Sequence, residues 1–491
     1  MKHVKTAQPT PITAGGRRLG LCGLALLGTL TASGAAFAQG TAAAPAASSD
    51  ESLTYHGITL YGIVDLGLQY QTHGAPISDY YPAGSADIVQ KNSNKSVFGV
   101  TPSNMSQSRV GLQGVEPIVG DWSGVFKLET FFNPQSGDIS DGLKSQVQNN
   151  GRALASQTTN LDSSVAGQIF QQSYAGFSSP TFGTITFGRQ NTLLADGIAK
   201  YDPNYASQAF SVIGLSGTTA GGGDTEDRRV DESLKYVASY NQMAHFGAMY
   251  KFNQANGGGA NTAFQVDIGG EYAGASIDAY YVKFNDAVAT SALSAAQVAD
   301  LPGLAQPVAP GGVPAPGTLG VSASNSLAAT ISDNTTVGIM GLYNMGAPKF
   351  FFGYEHIRYA DPTHPLAAGF DAIGGYKLAF VNNTAFPNDK ILQVYWAGLK
   401  YTVIPELDLT AAYYGYHQNA YATGANAGCS SEKSGTCSGT LDAFAFDADY
   451  RLTKRFDAYA GVMYTGVHNG LANGYLHSTD MNPTVGIRYK F

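Results

Sequence analysis

The clearest hydrophobic pattern lies at the end of the chain, in residues 481–491. Every second position there is apolar: Val485, Ile487, Tyr489 and Phe491. Glycine or a basic residue stands at the positions between: Gly486, Arg488 and Lys490. A period of two is that of a β-strand, whose side chains point alternately to opposite faces. The segment therefore predicts a strand between an apolar and a polar environment.

The same alternation recurs along the chain. It is found in residues 58–70, 108–113, 126–132 and 444–451. Where charged residues occur in these segments, they take the face opposite the continuous apolar one, as Lys127 and Glu129 do between Phe126, Leu128 and Thr130. A soluble β-sandwich would alternate as well, so the pattern alone does not separate it from a barrel.

The connections between the predicted strands separate these two architectures. Seven are short, near 116–122, 178–183, 241–247, 273–276, 345–349, 404–408 and 453–456. Eight are long, near 71–104, 134–169, 191–229, 254–262, 286–333, 359–390, 419–440 and 466–481. Short and long connections alternate, which predicts an all-β fold: a closed antiparallel transmembrane barrel of sixteen strands with long extracellular loops. Pairing of 58–70 with 482–491 would close it and remove both sheet edges.

Composition supports strands rather than membrane helices. The 491 residues include 60 Gly, 29 Tyr and 24 Phe. Aromatic residues favour strands and glycine favours turns. The sequence has no uninterrupted apolar stretch of the roughly 18 residues that a spanning helix needs. The long segment 287–330 is rich in Ala, Pro and Gly and predicts no regular structure, apart from room for a short helix near Ser294–Leu301.

The first 38 residues are typical of a signal peptide. A basic stretch precedes the apolar segment Leu19 to Leu30, and Ala36-Phe37-Ala38 fits a cleavage site. We therefore divide the chain into a signal peptide (1–38), a flexible segment (39–56) and the barrel (57–491). The signal peptide holds four basic and no acidic residues, so its removal takes the formal charge from −8 to −12. Such an acidic protein is a poor candidate for nucleic-acid binding, which depends on basic patches.

Two cysteines remain after cleavage, Cys429 and Cys437. Exported proteins reach an oxidising compartment, so we expect a local disulfide between them. The sequence has no nucleophile, zinc or phosphate-loop motif of a known enzyme class. His356 and His364 are expected to be solvated rather than to bind metal. We predict neither catalysis, nor a metal, nor a cofactor.

Several short motifs resemble those of the general porins of Gram-negative outer membranes, which are trimeric and sixteen-stranded. They are Leu60-Tyr61-Gly62-Ile63-Val64-Asp65, Ser108-Arg109-Val110-Gly111-Leu112, Tyr174-Ala175-Gly176-Phe177, 182–190 and 486–491. The terminal Phe491 is also usual in that family. The resemblance implies a water-filled channel in the outer membrane for passive diffusion of small hydrophilic solutes and ions. It also implies a homotrimer in contact with outer-membrane lipid and lipopolysaccharide.

The resemblance further implies a pore constriction. In that family the third long loop, here 191–229, folds into the barrel and places acids opposite wall arginines. The matching wall positions are Arg109, Arg189 and Arg229, with Arg228 adjacent and Glu129 as a pore-facing acid. The matching loop acids are Asp196 and Asp202. Opposed charges across a narrow aqueous gap between low-dielectric walls would create a strong transverse field.

Some positions depart from the family pattern. Gln171 and Ile63 stand where wall arginine and lysine are expected, and a Pro-Glu-Phe-Gly-Gly-Asp loop motif is missing. The constriction is therefore expected to carry fewer positive charges. Two alternatives stay open for the site: the arginines only brace the barrel, and Lys127 simply pairs with Glu129. Two stay open for function: a substrate-selective channel, and a non-conducting barrel that acts as an adhesin.

Overall fold

The computed structural model describes most of the chain from residue 53 onward. The described residues are 53–73, 96–135, 137, 169–213, 229–240, 243–252, 262–292, 327–364, 372–373, 376–377, 380–382, 388–429, 435–472 and 477–491. The predicted signal peptide (1–38) and the short helix near 294–301 lie outside these residues. All the barrel strands belong to one unit of the chain, Ser52–Phe491.

Sixteen strands form the wall of a closed antiparallel barrel. They are β1 (Ile58–Gln71), β2 in two segments (Val97–Pro102 and Arg109–Val119), β3 (Trp122–Phe131), β4 (Phe170–Ser179), β5 (Gly183–Asn191), β6 (Arg229–Tyr240), β7 (Ala244–Lys251), β8 (Ala263–Tyr272), β9 (Ala275–Ala292), β10 (Leu327–Asn344), β11 (Pro348–Ala360), β12 (Lys390–Ile404), β13 (Leu407–Gln418), β14 (Gly439–Arg451), β15 (Phe456–Asn469) and β16 (Thr479–Lys490). Each strand pairs with the next, and β16 pairs back with β1, where Ile63 lies opposite Lys490. The predicted strand number and closure are confirmed.

The alternation along each strand separates an outer apolar face from a polar lumen. In β16, Val485 and Ile487 are each 50% exposed on the outer face, whereas Thr484 and Arg488 are buried on the inner one. Exposed apolar side chains facing out and polar side chains facing in are what a bilayer requires, because lipid cannot hydrogen-bond.

Short turns join the strands at one end of the barrel. Between β8 and β9 the turn has only two residues, Ala273 and Gly274, since Tyr272 pairs directly with Ala275. Both turn residues have positive φ, 49° and 85°. This conformation matches the twist of the flanking strands, and glycine adopts it without strain.

The structure differs from prediction at several places. Strands β9 and β10 extend into the predicted loop 286–333, since β9 ends at Ala292 and β10 begins at Leu327. Strand β2 begins at Val97, inside the predicted loop 71–104, and is interrupted at 103–108. The predicted loop 359–390 contains short strands, of which Phe380–Asn382 pairs in parallel with β10. The end of the segment predicted to be flexible forms a two-residue strand, Thr54–Tyr55, because it folds back on β1.

Residues 192–213 enter the barrel and line part of its inner wall. They begin with helix α1 (Leu193–Tyr201). Thr192 Oγ1 accepts a hydrogen bond of 3.1 Å from Ala195 N and so caps the helix. No helix in the described part of the chain has the length and apolar character to cross a membrane.

Apolar burial holds this inward segment against the wall. Leu194, Ile198 and Phe210 are at most 1% exposed. They belong to one cluster with wall residues such as Val282, Met340 and Tyr414. Full burial of a side chain of this size is worth about 1.5–3 kcal/mol, so the loop is anchored largely by the hydrophobic effect.

Candidate pore constriction

A charged cluster lies on the lumen side of β2, β3 and β6, and we call Arg109, Lys127, Glu129 and Arg229 the wall cluster. Glu129 is its centre and is 1% exposed. Arg109 Nε and Lys127 Nζ each lie 3.6 Å from Glu129 Oε2. The Arg109 and Lys127 side chains remain 33% and 20% exposed, so their charge reaches the water in the lumen.

Neutral neighbours hold the Glu129 carboxylate in place. The Tyr61 hydroxyl donates to Oε2 at 2.9 Å, and Gln172 Nε2 donates to Oε1 at 3.0 Å. Register explains these contacts, because Glu129 lies opposite Gln172 on β4 and opposite Gly111 on β2. Gly111 leaves the space that the Tyr61 ring occupies: a Cβ there would lie 2.5 Å from the Tyr61 hydroxyl oxygen.

Arg229 completes the wall cluster from β6. Its guanidinium carbon lies 4.6 Å from the centre of the Phe131 ring, a cation–π contact with a side chain that is 3% exposed. Arg229 also interacts electrostatically with Glu129. Three cations therefore surround one carboxylate, and this part of the wall has an excess of positive charge.

Asp196, in the first turn of α1, faces the basic side of the lumen. Its carboxylate forms an ion pair with Lys235 on β6 and accepts a 2.9 Å hydrogen bond from Asn191 Nδ2. The Asp196 side chain is 47% exposed. The structure thus brings Asp196 beside the wall, where Lys235 was not anticipated from the sequence.

Asp202 was expected on the pore surface, but its side chain is fully buried between the inward loop and the barrel wall. It accepts hydrogen bonds from the Tyr414 hydroxyl at 2.7 Å, from Ala206 N at 2.7 Å and from Asn204 N at 3.2 Å. Burial raises the pKa of this carboxyl, and the hydrogen bond from Tyr414 opposes the rise. Asp202 therefore anchors the loop instead of lining the channel.

Arg189 does not join the wall cluster. Arg189 pairs with Ser173 on β4, and Ser173 pairs with Leu128 on β3, whose side chain faces outward. Arg189 therefore belongs to the outer face of the barrel. Its guanidinium pairs with Asp231 at 2.5 Å. The pairing of β5 with β6 also shifts in register between Gly188 and Gln190. Arg228, predicted as its neighbour at the constriction, lies outside the described residues.

The two departures from the family pattern have local explanations. Gln171 sits where the β3–β4 register shifts, and the side chain that reaches Glu129 is that of the next residue, Gln172. Ile63 lies in the row of Arg109 and Lys490. An apolar side chain thus separates two cations of the lumen wall.

A second charged group, on β1 and β14–β16, was not anticipated. Arg488 donates to Asp457 Oδ2 at 2.7 Å and to Asp449 Oδ2 at 2.8 Å. Asp65, opposite Arg488, accepts from Met105 N at 2.9 Å and from Ser106 N at 2.8 Å, and so folds the interruption of β2 inward. The only sequence signal was the alternation that placed Asp65 and Arg488 on polar faces.

The predicted cysteine pair lies at the loop end of β14. Cys429 and Cys437 are joined by a disulfide with a Cα–Cα distance of 5.3 Å. Cys437 N also donates to Gly428 O at 3.1 Å. The disulfide therefore closes a small local loop.

A closed sixteen-stranded barrel with an apolar outer face, a charged lumen and an inward-folded loop is the architecture of an outer-membrane porin. The chain belongs to the Gram-negative porin family, whose model matches residues 23–470. This membership confirms the family resemblance and the outer-membrane location expected from the sequence.

Individual relatives are more distant. An outer membrane porin protein of Bordetella pertussis is 26% identical over 196 residues, which cover 40% of this chain and 43% of the relative. The match thus spans less than half of that relative.

Two solved structures share the fold. The anion-selective porin of Comamonas acidovorans has a TM-score of 0.55 at 16% identity, covering 88% of this chain and 99% of that one. The trimer form of OmpT, an outer membrane protein of Vibrio cholerae, has a TM-score of 0.51 at 13% identity, with coverages of 88% and 99%.

Proposed function

We propose that the chain forms a water-filled channel through which small hydrophilic solutes and ions diffuse passively down their gradients. The observation that carries this proposal is the lumen: a loop buried against one part of the wall leaves the wall cluster partly exposed to water. Low-dielectric walls strengthen the field of such charges on a passing solute. The channel acts by positioning charge, without catalysis.

Charge should govern which ions pass. Arg109, Lys127 and Arg229 outnumber Glu129, whereas many acids line the other side of the lumen, among them Asp449 and Asp457. Asp449 and Asp457 are themselves buried and paired with Arg488, so both signs of charge are present along the lumen and neither dominates, and we expect weak selectivity. Bulky apolar solutes are rejected because they would have to displace water from charged groups.

We also propose that the working unit is a homotrimer in contact with outer-membrane lipid and lipopolysaccharide. Support comes from the family and from the trimer form of the OmpT structure. The outer face of β1–β5 is largely apolar, with Phe177 and Phe187 about half exposed. Such a face requires lipid or another subunit against it.

The test is single-channel conductance of the refolded protein in a planar bilayer, with the reversal potential measured in a salt gradient. Linear conductance that appears in steps of three with weak selectivity supports the proposal. Saturation of the flux by one solute would indicate a substrate-selective channel instead. Absence of conductance from correctly folded protein would overturn the channel and point to a surface role for the loops.

A further inference from the structure

Three potential metal ligands converge on the lumen side of β7, β8 and β9, strands that contribute no residue to the wall cluster. They are His245, Asp267 and Asp278, and their ligand atoms all lie within 4.8 Å of one another. His245 Nε2 is 2.8 Å from Asp278 Oδ1 and 3.8 Å from Asp267 Oδ2. One imidazole thus stands between two carboxylates on neighbouring strands.

Two glycines make room for this group. Gly269 lies directly opposite both His245 and Asp278 in the sheet. A Cβ at Gly269 would be 2.0 Å from Asp278 Oδ1 and 2.5 Å from His245 Nε2. A Cβ at Gly247 would be 1.8 Å from Asp267 Oδ1. The side chains can therefore meet only because these backbone positions have none.

The carboxylates are buried and incompletely compensated. Asp267 is 8% exposed, and its Oδ1 has no hydrogen-bond partner among the described residues. Asp278 is 3% exposed, and its Oδ2 accepts from the Tyr280 hydroxyl at 3.0 Å. A buried carboxylate oxygen without a partner is costly, so a cation at this point would remove a large unfavourable energy.

The nearest protein cations are already engaged elsewhere. Lys200 Nζ lies 3.9 Å from Asp278 Oδ2, but it is bound to Glu271 at 2.8 Å. Lys235 is paired with Asp196. These two ion pairs are neutral in sum. With a neutral imidazole, the two carboxylates leave a local charge of about −2, which a divalent ion would balance.

We propose that His245, Asp267 and Asp278 bind one divalent transition-metal ion per chain, with Zn²⁺ the best match. Zinc bonds to nitrogen and oxygen are about 2.0–2.2 Å long, so tetrahedral ligands are separated by about 3.3 Å. The 2.8 and 3.8 Å separations from His245 Nε2 bracket that value. A site with one imidazole suits zinc better than Ca²⁺ or Mg²⁺, which prefer oxygen ligands alone.

The fourth position of such an ion would face the lumen. The His245 side chain is 24% exposed, so water reaches the site from that side. Ion binding would cancel the negative charge of this patch. The binding itself does not depend on the proposed channel function, and a failure of one leaves the other standing.

Zinc binding to the folded protein is the direct test, made by calorimetric titration on a chain without a histidine tag. We expect one ion per chain, and an affinity at least tenfold lower in His245→Ala and in Asp267→Asn. His364→Ala is the matched control, because that imidazole faces a single carboxylate, Asp286, at 2.9 Å. It should bind zinc as the unmodified protein does. Barrel formation in each variant is checked by the mobility shift between unheated and heated samples on gels.

A second measurement needs no variant. X-ray absorption at the zinc edge of the unmodified protein should show one imidazole together with oxygen ligands at about 2.0–2.1 Å. The proposal is overturned if no zinc binds, if the spectrum lacks imidazole, or if His245→Ala binds zinc as tightly as the unmodified chain.

Discussion

The hydroxyl of Tyr414 on β13 donates a 2.7 Å hydrogen bond to Asp202 in the inward loop, and both residues are completely buried. This contact joins the loop to the far wall of the barrel. Asp202 in turn accepts from the backbone of Asn204 and Ala206, so one carboxylate organises the turn that follows α1.

Tyr414→Phe should loosen this turn. Loss of a hydrogen bond to a buried carboxylate costs about 1.5–3 kcal/mol, equivalent to roughly 10- to 150-fold faster local opening. Hydrogen exchange of the Asn204 and Ala206 amides measures it. Tyr413→Phe is the control, since that hydroxyl donates to Asp442 instead of to the loop. Equal exchange in both variants would contradict the anchoring role of Tyr414.

Removal of a basic side chain from the wall cluster should shift selectivity toward cations. A unit charge about 8 Å from an ion in water contributes about 0.5 kcal/mol. Arg109→Ala and Arg229→Ala should therefore each raise the cation-to-anion permeability ratio about twofold. The measurement is the reversal potential in a salt gradient. Arg358→Ala, which removes an exposed arginine paired with Asp389, should leave that ratio unchanged.

Glu129→Gln should shift selectivity in the opposite direction. The substitution keeps the size of the side chain and an oxygen that can accept from Tyr61, but it leaves Arg109 and Lys127 without their shared counter-ion. The freed positive charge favours anions, by about the same factor of two. A shift toward cations would show that Glu129 does not screen the wall cluster. A combined Glu129→Gln and Arg109→Ala variant should return close to the original ratio.

Reduction of the Cys429–Cys437 disulfide should loosen one loop without opening the barrel. A crosslink between residues eight positions apart contributes about 2–3 kcal/mol to stability, because it reduces the conformational entropy of the unfolded chain. We expect faster exchange at the amides of Tyr421 and Cys437, which donate to Thr436 O and Gly428 O. Amides within β13 and β14 should keep their protection, because their ladder runs from Leu407 to Gln418 without the disulfide. A Cys429→Ser/Cys437→Ser variant should behave like the reduced protein.

The wall of the barrel could be predicted because each strand alternates between lipid and water, and because short and long connections alternate. The segment Val97–Pro102 was missed because alternation over six residues beside a long polar stretch is too brief to stand out. The inward fold of the loop was predicted from the family resemblance alone, since nothing in its composition indicates that Leu194, Ile198 and Phe210 pack inside a barrel.

Residue roles within the site were less predictable, for reasons of register and burial. Arg189 stands two positions after the outward-facing Phe187 on β5, in unbroken register with β4, so the family match placed it at the constriction although the alternation of its own strand points it outward. Asp202 matches a loop acid by position, yet position does not reveal that Tyr414, more than two hundred residues later, covers it. The Arg488–Asp457 pair depends on the β15–β16 register, which the alternation alone leaves open.

A hydrogen bond from an indole holds the end of α1 against the wall. Trp396 Nε1 donates to Tyr201 O at 3.0 Å, and the indole lies over Gly353, its partner across β11 and β12. A Cβ at Gly353 would be 2.0 Å from Cζ2 of Trp396, so Gly353→Ala must push the indole away from the helix end. Such overpacking costs about 1–3 kcal/mol.

The Gly353→Ala variant should therefore resemble Trp396→Phe, which removes the donor directly. Both should speed amide exchange at the end of α1 by roughly 5- to 150-fold, because a cost of about 1–3 kcal/mol corresponds to a rate ratio of that size. Gly466→Ala is a suitable control, because the nearest atom to its added Cβ would be 3.6 Å away. If Gly353→Ala keeps the exchange of the unmodified protein while Trp396→Phe does not, the indole has room to move, and the glycine is not what positions it.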